Sequence, residues 1–147
     1  RARSTPKALS TARSYLAGAS VGDYALCAGG TTTNGSTDST VDAYNSSLTR
    51  STPPALSTTR SHLVGASVGN YALFAGGAKT AVDAYDSSLA RRTAPALSTA
   101  KSHFAGASVG NYALFAGGIT ITTGSIESTV NAYERPHISI PAQKIYL

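Results

Sequence analysis

Tryptophan and methionine are absent from the chain, cysteine occurs once, only seven residues are acidic, and no apolar run approaches the roughly 18 residues of a membrane span. Each shortage excludes something. With Cys27 alone, no intrachain disulfide can form and the redox compartment is not legible. No carboxylate lies near His62 or His103 in sequence, which argues against a catalytic zinc site and against paired acid–base chemistry. No GxGxxG or GxxxxGK[ST] pattern leads into a helix, so no phosphate cradle is expected. Residues 1–11 are basic and polar and do not resemble a secretory leader, while the lack of Met even at position 1 points to processing or truncation.

What the chain has is repetition. SYLAGASVGDYALCAGG at 14–30 returns as SHLVGASVGNYALFAGG at 61–77 and SHFAGASVGNYALFAGG at 102–118. Each copy leads, after a loop of variable length, to VDAY or VNAY, at 41–44, 82–85 and 130–133. Ala8, Ala55 and Ala96 set spacings of 47 and 41 residues, the period of a multistranded repeat unit. The difference falls between the Gly-Gly pair and the VDAY run, at 31–40, 78–81 and 119–129, which marks surface loops where length costs little.

Within a unit the pattern is that of strands. Short apolar segments at 15–21, 24–28, 40–44 and 48–52 are separated by Gly-Asp or Gly-Asn, by Gly-Gly, and by Asn-Ser-Ser or Asp-Ser-Ser. No helical periodicity persists over three turns, so the fold class is all-β. The first strand of each unit is built from small residues and suits a crowded axis; the second carries Leu with Cys27, Phe74 or Phe115 and would fill the space between neighbouring sheets.

This pattern resembles the kelch repeat, in which an Arg precedes a small-residue strand, an aromatic strand, a Gly-Gly pair and a third-strand Tyr. The corresponding residues are Arg13, Gly29, Gly30 and Tyr44; Arg60, Gly76, Gly77 and Tyr85; and Lys101, Gly117, Gly118 and Tyr133. The resemblance implies a kelch-type β-propeller with three four-stranded blades per chain, a half-propeller or a fragment of a six- or seven-bladed ring. The even copies also resemble degenerate arrays of bacterial surface and phage structural proteins. The family's outer-strand Trp is missing; Leu48 and Leu89 stand near its place, so the outer strands should be the least firmly packed.

On this reading the whole chain, 1–147, is one repeat domain: outer strand and lead-in at 1–13, blades at 14–54, 61–95 and 102–140, and a tail at 141–147. Arg3-Ser4-Thr5-Pro6 repeats Arg50-Ser51-Thr52-Pro53, so the chain opens with an outer strand whose own blade is absent. Two chains placed head to tail would supply six blades; excision from a longer propeller would account for the same strand.

The net charge of +5 is scattered rather than gathered into an arm, which speaks against nucleic acid as a partner. Tyr15, His62 and His103 occupy equivalent positions, and in kelch proteins this register faces the mouth of the central channel; they are the expected ligand-binding residues. Asp42, Asp83 and Asn131 recur before the third-strand Tyr and suit a structural bond to the backbone or to an Arg. Some kelch proteins are copper radical oxidases or sugar-isomerising enzymes, but Cys27 occupies a packing position and that chemistry is not carried over. The expected function is a non-enzymatic binding or scaffold module contacting protein or glycan, without cofactor, metal or membrane, in a secreted, cell-surface or phage setting. A purely structural role and a sugar-acting enzyme are the alternatives.

Overall fold

The computed structural model describes residues 2–134 and 144–146. The first repeat forms β1 (Arg13–Ser14), β2 (Ala17–Val21), β3 (Tyr24–Ala28), β4 (Thr31–Thr32), β5 (Val41–Tyr44) and β6 (Arg50–Ser51). The second forms β7 (Leu63–Val68), β8 (Tyr71–Gly76), β9 (Val82–Asp86) and β10 (Arg91–Ala94), and the third β11 (Lys101–Ser102), β12 (Ala105–Val109), β13 (Tyr112–Ala116), β14 (Ile119–Thr120), β15 (Val130–Glu134) and β16 (Lys144–Tyr146). The protein is all-β, with no helix among the described residues.

Two-residue loops make the first hairpin of every repeat. Gly22, Gly69 and Gly110 open them with φ of 54°, 55° and 55°, the left-handed backbone that a tight hairpin demands and only glycine adopts freely. The turn toward each outer strand is held by a side chain: Asn45 Oδ1 accepts from the Ser47 and Thr49 amides, and Asp86 Oδ1 from those of Ser88 and Ala90. These competing side chain to backbone bonds end one strand and aim the next.

The result is three four-stranded sheets, ordered β2-β3-β5-β6, β7-β8-β9-β10 and β12-β13-β15-β16, with two small ribbons, β1-β4 and β11-β14. Pairing is antiparallel except between β15 and β16, which run parallel. This last strand comes from the stretch assigned to the tail, whereas residues 135–140, expected to close the third blade, lie outside the described residues. The repeated Arg3-Ser4-Thr5-Pro6 segment is exposed and pairs with none of the described sheets.

Consecutive sheets pack face to face and bury two apolar layers. Between the first and second sheets lie Val21, Leu26, Val41, Leu63, Phe74 and Tyr85. Between the second and third lie Val68, Leu73, Val82, Ala113, Phe115 and Tyr133. Phe74 meets Tyr85 edge-on at 5.9 Å, and Phe115 meets Tyr133 at 5.6 Å, the favoured geometry for aromatic pairs. The small-residue strands run side by side: Ser67 Oγ donates to Ser20 O at 2.6 Å, and Ser108 Oγ donates to Ser67 O. At Gly65 a Cβ would collide with the backbone of Gly18, so the spare composition of these strands is what permits the approach.

Candidate functional site

One end of the three sheets is organised by a buried cation in each repeat. Arg13 Nη1 donates to Gly29 O at 2.6 Å and Thr40 O at 2.7 Å, and its Nη2 reaches Asp42 Oδ2 at 2.6 Å. Arg60 repeats this with Gly76 O at 3.0 Å, Ala81 O at 2.9 Å and Asp83 Oδ2 at 2.7 Å, adding Phe74 O at 3.3 Å. Burial pushes the Arg60 guanidinium below its ordinary range, and the Asp83 charge beside it opposes that shift. The carboxylates are held from the other side by Ser10 and Ser57, each of which donates through both its amide and its hydroxyl.

The third repeat changes both partners together. Lys101 replaces Arg and Asn131 replaces Asp, and the Lys101 ammonium, its side chain fully buried, turns to Glu127 Oε1 at 3.2 Å and sits 5.3 Å over the Phe104 ring. Ser98 Oγ still donates to Asn131 Oδ1, at 3.3 Å. Glu127 is held below its ordinary 4.5 by a hydrogen bond from Thr129; desolvation opposes this, and Lys101 and Thr99 add to it. A point-charge ammonium cannot imitate the bidentate fork of Arg, and its carboxylate partner comes from the loop, at the register that Asp38 holds in the first repeat.

The third-strand tyrosines brace the same scaffold. Tyr44, Tyr85 and Tyr133 donate through their hydroxyls to Lys7 O, Pro54 O and Pro95 O at 2.9, 2.7 and 2.7 Å. These acceptors stand 47 and 41 residues apart, one per repeat. The Gly-Gly pairs have positive φ throughout, and at Gly29 a Cβ would stand 2.6 Å from Arg60 O of the following repeat. Gly30 N donates to that same carbonyl at 2.8 Å, so the pair is where one repeat grips the next.

Above this frame stand Tyr15, His62 and His103. All three are non-glycine residues in the left-handed region, with φ of 55°, 58° and 56°, a conformation that costs on the order of 1–3 kcal/mol each and clusters at functional positions. Their rings form a ladder: Tyr15 stacks on His62 with centroids 4.1 Å apart, and His62 lies 5.2 Å from His103. Ser61 Oγ lies 3.2 Å from His62 Nδ1, and Ser102 Oγ 2.8 Å from His103 Nδ1, which fixes each ring's orientation. His62 N donates to Tyr15 O at 3.0 Å and ties the first two rungs through the backbone.

The ladder is open to solvent; Tyr15 is 61% exposed and His103 is also exposed. Beside its first rung lies a groove of about 230 Å³ lined by Ala12, Arg13, Ser14, Thr31, Thr32 and Thr33. Among the described residues no three His, Cys, Asp or Glu side chains converge as a metal site would require. Cys27 is a half-buried residue of β3 in the first sheet, and burial pushes its thiol up, away from reactive thiolate. What sequence reading missed was Glu127, although Glu127-Ser128-Thr129 repeats Asp38-Ser39-Thr40 and its amide bonds Gly118 O as that of Asp38 bonds Gly30 O; the shorter second loop, which lacks this carboxylate, hid the match.

No family model and no curated protein matches the chain. Among solved structures, that of YjhT is similar with a TM-score of 0.76 at 14% identity, over 95% of this chain and 46% of that one. The chain therefore spans about half the length of that structure, and a likeness at this identity is one of fold alone. The kelch-repeat assignment is corrected by these findings. The described strands form five separate sheets, none closed into a ring, and no family relationship accompanies the structural likeness. The residues that suggested the assignment have a local cause: Arg, Gly-Gly and Tyr are hydrogen-bonding and close-packing positions of this stack of sheets.

Proposed function

We infer that the protein is a non-enzymatic binding module that takes a hydroxyl-rich, uncharged ligand, a glycan, across the Tyr15–His62–His103 ladder and its flanking Ser and Thr side chains. The observation that carries this reading is the ladder itself: exposed Tyr15 and His103 flank a half-buried His62, each on a left-handed backbone, with ring centroids 4.1 and 5.2 Å apart. Backbone strain recurs at the same position in all three repeats, as functional positions often show. Stacked rings offer an apolar edge on which a sugar ring can rest, and Ser14, Thr31 and Thr32 border the first rung with hydroxyl groups able to donate and accept.

The three sheets serve as the scaffold that holds the rungs in register. A catalytic reading has less support, because among the described residues no carboxylate makes a hydrogen bond or ion pair with either ladder histidine. Calorimetric titration with neutral hexasaccharides of glucose, N-acetylglucosamine and mannose tests the binding reading. One of them should bind with Kd of about 1 mM or tighter, corresponding to roughly −4 kcal/mol, and Tyr15→Ala should weaken it at least about tenfold. Absence of binding to all three, with the ladder intact, contradicts the glycan reading and leaves a structural role.

A further inference from the structure

The two outer faces of the stack are unequal copies of faces that are buried inside it. Val21 and Val68, on the leading face of the first two sheets, are 3% and 2% exposed, whereas their counterpart Val109 on the third is 62% exposed. Val41 and Val82 are fully buried, whereas Val130 is 50% exposed. On the trailing face the contrast reverses: Ala72 and Ala113 are fully buried, and Ala25 of the first sheet is exposed. The chain thus contains the same sheet-to-sheet interface twice and presents its two unmatched halves at opposite ends.

The loops repeat the asymmetry. Thr37 Oγ1 of the first repeat and Thr59 Oγ1 of the second meet at 3.2 Å across one junction. By repeat register the residues that would meet across a further junction are Ile126, 87% exposed, and Ala12, also exposed: a polar pair inside the chain, an apolar pair between its ends. At Gly29 and Gly76 the following repeat approaches so closely that a Cβ would lie 2.6 Å from Arg60 O or run into the Phe104 ring, whereas at Gly117 the nearest such atom is 3.6 Å away, in its own loop. Among the described residues nothing fills that place, which an Arg-bearing repeat occupies at the first junction.

We propose that a second copy of this chain docks head to tail, the trailing face of its first sheet covering the leading face of the third, so that its Tyr15 extends the ring ladder beyond His103. The occupant is another copy because the interface is already written into the chain, with Arg13 and Ala12 in the positions that Arg60 and Thr59 hold at the first junction. A heterologous contact of this kind closes into a ring if its rotation permits and otherwise grows as a series. In naming the partner that completes the ladder, the proposal builds on the binding reading, but its test needs no ligand and so stands or falls separately.

Light scattering on a sizing column, at concentrations into the hundreds of micromolar, should give twice the 14.9 kDa chain mass or a longer series. Val109→Glu and Ala25→Glu, both at exposed positions, should each give a monomer with unchanged circular dichroism, and an equimolar mixture of the two should regain a dimer, because one intact leading face and one intact trailing face remain. A monomeric parent protein overturns the proposal and leaves sheets of another sequence as the occupant. A dimer that resists Ala25→Glu but not Val109→Glu also overturns it, because that pattern belongs to two leading faces paired symmetrically.

Discussion

Replacing Arg60 by Leu tests the claim that each repeat is pinned by its buried cation. The guanidinium is 1% exposed and serves four acceptors, the carbonyls of Phe74, Gly76 and Ala81 and the Asp83 carboxylate. Leu would leave the fully buried Asp83 with Ser57 and, at 3.4 Å, Arg91. Breaking a buried ion pair from one side costs about 3–5 kcal/mol, mostly because the stranded charge stays buried. The orphaned carbonyls belong to the same network, so their cost does not add in full. A loss of about 4 kcal/mol is expected, which for a domain of this size lowers Tm by roughly 10 °C. Urea unfolding of Arg60→Leu, Asp83→Leu and the double variant measures it. The double variant should be more stable than the sum of the singles implies, with a coupling of about 2 kcal/mol or more. A loss below about 1 kcal/mol for Arg60→Leu, or strict additivity, would refute the reasoning.

Three further outcomes follow from the same geometry. Gly76→Ala, with φ of 74° and the Phe104 ring in the path of the new Cβ, should cost several kcal/mol, whereas Gly124→Ala, with φ of 68° and open space around it, should cost only the backbone strain of about 1–2 kcal/mol by thermal unfolding. Because Glu127 titrates below its ordinary 4.5 when folded, its contribution is complete above that value and is lost as pH falls through the lower folded value; Glu127→Gln should flatten this part of the acid stability curve. Burial raises the phenol pKa of Tyr85, with Asp83 adding to it, and burial alone raises that of Tyr133, so ultraviolet titration should show both un-ionised past pH 10. The unfolded chain ionises there while the folded one does not, so stability should fall as pH rises above 10, and less so in Tyr85→Phe.

The all-β class was legible because the repeat is short, alternates around Gly-Asp and Gly-Asn turns, and lacks helical periodicity, all of which are local properties. Face-to-face packing was legible in the bulk of Phe74 and Phe115 against the small residues of β2, β7 and β12. Closure of the sheets into a ring was not, since it depends on the angle between sheets and on what lies at either end, and neither is encoded within one repeat. The family assignment failed for a related reason: a motif made of packing residues reports the local geometry and not the ancestry. For the candidate site, equivalence of position singled out Tyr15, His62 and His103, but their left-handed backbone and mutual stacking arise from strands that meet 47 and 41 residues apart. Glu127 escaped notice because its counterpart Asp38 recurs in only one other repeat, the short second loop having no residue at that register.

The ring ladder is the centre of the functional account, and the most direct measurement is the proton NMR spectrum of the histidine rings in the full chain. Stacking at 4.1 Å on Tyr15 should move the His62 ring protons upfield of their free-peptide positions, and Tyr15→Phe should preserve that shift while Tyr15→Ala abolishes it. His62 and His103 ring protons at free-peptide positions in the parent chain would contradict the ladder and the binding function built on it.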